Sequence, residues 1–208
     1  MDDLTRTPPR VPFVTTRRTA LKGVGATLTA LVLSAANPRA QGRAFASTAL
    51  QNQSDVDILN FGLRLEQLEL ELLNQVLAGS SLPPELVPVF TRIRDQETVH
   101  VDKLTQLIGD LGGTPQAPQT FTFGALDTPD RILQVSQRVE DVCIGGYGGA
   151  TARATERKVV RWCANITQVE ATHAALYRIL AGQLPTTGAY AALLQANEAD
   201  TQVAQFTP

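Results

Sequence analysis

Strong charge of either sign is missing from this 208-residue chain, which carries 18 Lys or Arg against 20 Asp or Glu and a formal net charge of -2. Nucleic-acid binding, which needs a basic footprint to neutralise phosphates, is therefore not expected. Apolar runs are short as well: Gly23 to Ala36 (GVGATLTALVLSAA) has only 14 residues, below the roughly 20 that a membrane-spanning helix needs. Methionine occurs once, as Met1, which excludes a haem held by methionine in the body of the chain. Only two histidines are present, so any imidazole chemistry runs through that pair. With 43% hydrophobic residues, 5% aromatics and no strand-rich composition, the chain is expected to form one compact domain with appendages.

The first appendage is N-terminal. Thr16-Arg17-Arg18-Thr19-Ala20-Leu21-Lys22 leads directly into the apolar run, and small residues come after it. That layout is a bacterial signal peptide. The paired arginines with Leu21 and Lys22 resemble a twin-arginine signal, although Ala20 stands where that pattern has a bulky apolar residue. Ala44-Phe45-Ala46 supplies a small-x-small cleavage site, with Ala40 the alternative, and an uncleaved anchor over residues 20–36 is the rival reading. A signal of residues 1–46, a linker of 47–54, a bundle of 55–182 and a tail of 183–208 are thus expected, the protein being exported to the periplasm or cell envelope. Removing residues 1–46 leaves 11 basic and 18 acidic residues, near -7, which also disfavours anionic lipid.

From Asp55 onward the chain reads as all-α, a sequence of helices separated by turn chemistry. Asp55 to Leu77 has apolar residues at helical spacing and ends at Ala78-Gly79-Ser80-Ser81. Pro83-Pro84 is expected to open a second helix, which stops at Gly112-Gly113. Thr114 to Leu126 has no helical period, and Thr128-Pro129-Asp130 starts a third helix that runs to about Gly146–Ala150. A fourth spans about Thr155 to Ala181 and stops at Gly182, and Ala189 to Ala199 suggests a short fifth. Two short connections and one long one describe a four-helix bundle with a single long crossover.

Both histidines stand three residues after a glutamate, in Glu97-Thr98-Val99-His100 and Glu170-Ala171-Thr172-His173. On a helix that spacing puts carboxylate and imidazole on one face, able to ligate one metal ion. Each pair lies on an apolar series: Ile93, Glu97, His100, Leu104, Leu107 in the second helix, and Cys163, Ile166, Glu170, His173, Tyr177 in the fourth. Burying ionisable groups there costs several kcal/mol per ion, on the order of the usual desolvation penalty, unless they are paired or bound to metal. A glutamate occupies the matching face of each remaining helix: Glu140 between Ser136 and Cys143, and Glu66 among Leu59, Gly62, Leu63, Leu70 and Leu73. Glu69 is the alternative to Glu66, since its neighbours Leu65, Leu72, Leu73 and Val76 are also apolar.

One Glu, then E-x-x-H, then Glu, then E-x-x-H, one element per helix, resembles the ferritin-like superfamily. The phrases from Asp57 to Glu66 and from Val169 to Ala175 more narrowly resemble the ferritin-like domains of desiccation-related proteins. The resemblance implies a carboxylate-bridged pair of iron or manganese ions. Glu97 with His100 and Glu170 with His173 would bind them, Glu66 and Glu140 completing the outer positions. It also implies a protein that consumes oxygen or peroxide, or oxidises ferrous iron, in stress protection. A non-catalytic protective or envelope-structural member is the rival from another class, because the fold alone names no reaction. Partners are accordingly metal ions, oxygen or peroxide, the twin-arginine export machinery, and a second copy in a small homo-oligomer rather than a mineral-storing shell.

Other singled-out residues have plainer readings. Tyr177, one turn beyond His173, is either a donor behind the ligands or a core tyrosine. Cys143 and Cys163 are expected as buried thiols, since their offset of about four residues, or roughly 6 Å along the axis, disfavours a disulfide. Arg153, Arg157, Lys158 and Arg161 read as a solvated basic helix start.

Overall fold

The computed structural model describes residues 54–189 and 191–207; the signal-peptide reading of residues 1–46 lies outside them. Among the described residues the structure is all-helical: α1 (Asp55–Ala78), α2 (Val87–Asp110), α3 (Pro129–Thr151), α4 (Arg157–Leu180) and α5 (Ala196–Val203), closed by a 3-10 turn (Ala204–Phe206). The first four form the bundle. No helix among the described residues is long and apolar enough to cross a membrane.

Local chemistry sets the helix starts. Ser54 caps α1 and is capped in return by Asp57, a reciprocal box that satisfies two free backbone donors. Thr128 accepts from Arg131 N–H at 3.2 Å with Pro129 in the first turn of α3. The start of α4 borrows its cap from another helix, because Asp55 accepts from Thr155 N–H and Glu156 N–H, both at 2.9 Å. The starts of α1 and α4 are thereby tied side by side. The second helix begins later than its sequence predicts. Pro83 and Pro84 build a preceding turn, accepting from Leu86 N–H at 2.9 Å and Val87 N–H at 3.3 Å, and the proline inside the first turn is Pro88.

The crossover between α2 and α3 runs along α1. Asn60 holds its beginning, donating to Thr114 O at 3.1 Å and accepting from Gln116 N–H at 2.8 Å, and Gln75 donates to Phe121 O at 3.3 Å nearer its end. Having returned the chain along α1, the crossover lets α3 start at the far end, antiparallel to α1. Every bundle helix buries a stripe at three- and four-residue steps, such as Phe90, Ile93, Glu97, Leu104 and Leu107 on α2.

The tail helix sits later than the predicted Ala189–Ala199. Residues 191–195 form no regular element instead, and Leu194 N–H donates to Gly145 O at 2.9 Å. Glycines of α3 make that approach feasible: a Cβ on Gly149 would stand 1.9 Å from the Leu194 carbonyl oxygen. Beyond this strap, Ala199, Val203 and Phe206 are buried against the bundle.

Candidate metal centre

Glu66, Glu97, Glu140 and Glu170 each stand near the midpoint of a different bundle helix and are at most 3% exposed. His173 is equally buried, and the His100 side chain keeps 13% exposure. The structure brings all six sequence-predicted residues together. His100 Nδ1 lies 3.1 Å from Glu66 Oε2, 3.0 Å from Glu97 Oε2 and 3.1 Å from Glu170 Oε1. His173 Nδ1 lies 3.0 Å from Glu97 Oε1, 3.5 Å from Glu140 Oε1 and 3.3 Å from Glu170 Oε2.

Two half-sites share two carboxylates in this arrangement. Glu97 and Glu170 each turn one oxygen to His100 and the other to His173, while Glu66 belongs to the first half and Glu140 to the second. An Nδ1 carries at most one proton, yet each faces three carboxylate oxygens. Correspondingly, Glu97 Oε1, Glu170 Oε1 and Glu140 Oε2 are buried with no hydrogen-bond partner. One proton cannot satisfy three acceptors, whereas a cation with several coordination positions can. Hard carboxylate oxygens with one imidazole per half suit iron, manganese and related divalent ions, so the residues fit a metal pair.

Without a cation, protons must neutralise the cluster. Burial, followed by the charge of Glu170, pushes the Glu66 carboxyl well above its ordinary range. Burial and then the Glu69 charge do the same to Glu140, and burial with the Glu170 charge does so to Glu69. Burial alone would raise Glu97 too, but the His100 and His173 imidazoles close beside it hold it at about 2. For His173, burial opposes protonation, and the Glu170 and Glu97 carboxylates override it to bring the imidazole to about 9. The same contest, with Glu170, Glu66 and Glu97 against burial, raises His100 strongly.

Two supporting residues escape the sequence reading. The Tyr147 hydroxyl contacts Glu66 Oε1 closely and lies 3.3 Å from Gly62 O, placing a buried phenol directly behind one site carboxylate. Tyr177, the predicted candidate for that role, instead packs its ring 5.3 Å from Phe90 and makes no hydrogen bond to the six residues. Tyr147 does lie on the Glu140 face of α3, seven residues on; that phase was the available signal. Gln96 Oε1 is 3.1 Å from His173 Nε2, fixing the ring so that Nδ1 points into the cluster. Glu69, predicted as an alternative to Glu66, is buried beside it rather than in place of it.

Cys143 and Cys163 are both free and buried. Burial pushes the Cys163 thiol up to about 12, which leaves it inert as a nucleophile at neutral pH. At the start of α4, Arg157 and Arg161 are exposed, Lys158 is half-buried, and Arg153 is drawn in further, with Nε and Nη1 buried and unpartnered. A groove of about 590 Å³ lies between α2 and α4, lined by Val89, Ile93, Gln96, Val169, His173 and Leu176 among others. It leads from the surface to the His173 half.

Comparison with known proteins agrees with this architecture. Residues 54–183 match the family described as a ferritin-like domain. The crystal structure of a conserved hypothetical protein from Mycobacterium tuberculosis superimposes with a TM-score of 0.57, covering 61% of this chain and 96% of that one at 13% identity. At that identity the likeness speaks for the fold alone. No curated protein sequence gives a significant match.

Proposed function

The chain belongs to the ferritin-like domain family, and from that premise we propose that it is an exported protein holding two iron or manganese ions with which it consumes oxygen or peroxide, oxidising ferrous iron where that is the available reductant. The observation that carries this reading is the pair of shared carboxylates: Glu97 and Glu170 each divide their two oxygens between the two imidazoles at 3.0–3.3 Å. A bound metal pair supplies two adjacent redox centres that exchange electrons with small oxidants.

The chain's own residues have distinct parts in this scheme. Glu97 and Glu170, each facing both imidazoles, would be the carboxylates held in common by the two halves. His100 and Glu66 complete one half, His173 and Glu140 the other. Gln96 orients His173 through its Nε2, and Tyr147 orients Glu66. The α2–α4 groove would admit small molecules to the His173 side, and the burial of the four glutamates keeps them from bulk water. Stress protection at the cell envelope is the setting that the twin-arginine-like Arg17-Arg18 and the oxidant chemistry support together.

Metal analysis of protein purified without chelators tests the proposal, combined with assays of peroxide disproportionation and of oxygen uptake with ferrous iron. Two equivalents of iron or manganese per chain with turnover in either assay is the expected result. Metal-free protein that gains no activity on reconstitution would leave a non-catalytic, structural role as the better account.

A further inference from the structure

Glu69 is the buried carboxylate that the two-metal reading leaves without a task. It stands one turn beyond Glu66 on α1, is 3% exposed, and neither of its side-chain oxygens has a hydrogen-bond partner. The thiol of Cys143 is close, but a thiol is a weak donor and leaves both oxygens unsatisfied. A buried carboxyl with no partner costs stability that an apolar side chain of similar size would not. Its position therefore points to an occupant that protein atoms do not provide.

The α1–α3 register shows where that occupant lies. Gly62 packs against Tyr147, whose hydroxyl is 3.3 Å from Gly62 O. Because α1 and α3 are antiparallel, seven residues along each helix from this contact come Glu69 and Glu140, two turns away on the same face. Glu140 turns Oε1 toward His173 Nδ1 at 3.5 Å and leaves Oε2 buried and unpartnered. Three orphan oxygens on two facing carboxylates thus lie at the level of Glu140, the outer carboxylate of the His173 half, with Glu69 beside the group of Glu140, Glu170 and His173 rather than within it. At the equivalent step on α3, three residues past Glu140, stands Cys143, so the two halves of the centre are not alike.

Resting on the two-metal reading above, we propose that Glu69 is a seventh ligand, joining Glu140 on the ion of the His173 half. That ion then has four carboxylates (Glu69, Glu97, Glu140 and Glu170) and one imidazole, against three carboxylates and one imidazole for its neighbour. The additional negative charge makes the His173 half the tighter site for a hard cation.

Manganese(II) alone, titrated into metal-free full-length protein and located by anomalous scattering in crystals, tests this. The expected result is an ion in the His173 half with a Glu69 oxygen in its coordination sphere. Glu69→Gln should weaken that ion about ten-fold or more, as loss of a ligand does, and leave the other within about three-fold. Glu69→Leu controls for folding: metal-free protein should have the same thermal midpoint or a higher one, since an unpartnered buried carboxyl is removed, yet lose the same ion. Two bound ions with Glu69 outside both coordination spheres, or a Glu69→Gln protein that binds both ions like the parent, would overturn the seventh ligand alone. A parent that takes up no ion would overturn the two-metal reading and this inference with it.

Discussion

Tyr147 on α3 places its hydroxyl against Glu66 Oε1 on α1, so the carboxylate of one half-site is held by a phenol from the opposite helix. Both groups are completely buried. Tyr147→Phe removes the donor and leaves Glu66 without it, at a cost of about 1–2 kcal/mol in the metal-free protein. The same change should weaken the ion of the His100 half about 10- to 100-fold, as loss of a ligand-orienting partner does elsewhere. Urea denaturation and a manganese titration read the two effects. Unchanged values in both would mean that the contact neither stabilises nor orients.

The protonation pattern fixes how stability of the metal-free protein depends on pH. Glu97 is held at about 2, below its ordinary 4.5, so its contribution is present above 4.5 and lost as pH falls toward 2. His173 is raised from 6.5 to about 9, so its contribution is full below 6.5 and lost as pH rises through 9. Glu66, Glu69 and Glu140 are raised well above 4.5, so ionising them on the way up from 4.5 also destabilises the fold. Chelator-treated protein should therefore have its highest thermal midpoint in mildly acid buffer, near 4.5, and decline steadily toward pH 9. Metal-loaded protein should show the opposite slope between about pH 5 and 8, because ions displace protons from the carboxyls. Parallel profiles with and without metal would contradict this.

The four helices and the six clustered residues were legible because both derive from periodicity within a single helix. A glutamate on an otherwise apolar stripe announces itself, and an E-x-x-H step fixes its partner on the same face. Contacts that depend on register between helices were not legible. Tyr147 meets Glu66, and Gln96 meets His173, only because α1 with α3 and α2 with α4 slide to particular offsets. Glu66 and Glu69 looked like alternatives because either suits the apolar face. Three residues apart, they differ by only about 60° around the helix, so both are buried at the centre. The tail helix starts later for a related reason: its alanines favour helix locally, and docking on the α3 glycines holds residues 191–195 out of a helix instead.

Export and loading can be separated by experiment. The twin-arginine route carries folded proteins, and a site closed by four helices is most easily filled as they assemble, because metal binding and folding are coupled. Replacing Arg17 and Arg18 together by lysine should therefore retain a folded, metal-loaded precursor in the cytoplasm, seen by fractionation with metal analysis. Lysine-substituted protein exported and cleaved as efficiently as the parent would refute the twin-arginine proposal without touching the metal centre.

The α3 glycines make the tail's position testable independently of the metals. A Cβ at Gly149 would stand 1.9 Å from Leu194 O, a contact with backbone that no rotamer change relieves. Gly149→Ala must then lift residues 191–195 from α3 and loosen the segment beyond them, including buried Ala199, Val203 and Phe206 and the Arg64–Asp200 ion pair. Overpacking of this kind costs about 1–3 kcal/mol, while replacing a helical glycine with alanine returns up to about 1 kcal/mol. The two terms partly cancel in global stability, so the midpoint is a poor readout and local exposure a good one. Limited proteolysis should cut Gly149→Ala within residues 183–206 several times faster than the parent, with metal stoichiometry unchanged because the strap meets α3 at Gly145, Gly148 and Gly149, beyond Glu140. Gly109→Ala on α2 is the matched control: its Cβ meets nothing within 4 Å, so it should stabilise the protein slightly and leave tail cleavage at the parent rate. Equal cleavage of the two variants would mean that the tail does not rest on α3 in solution.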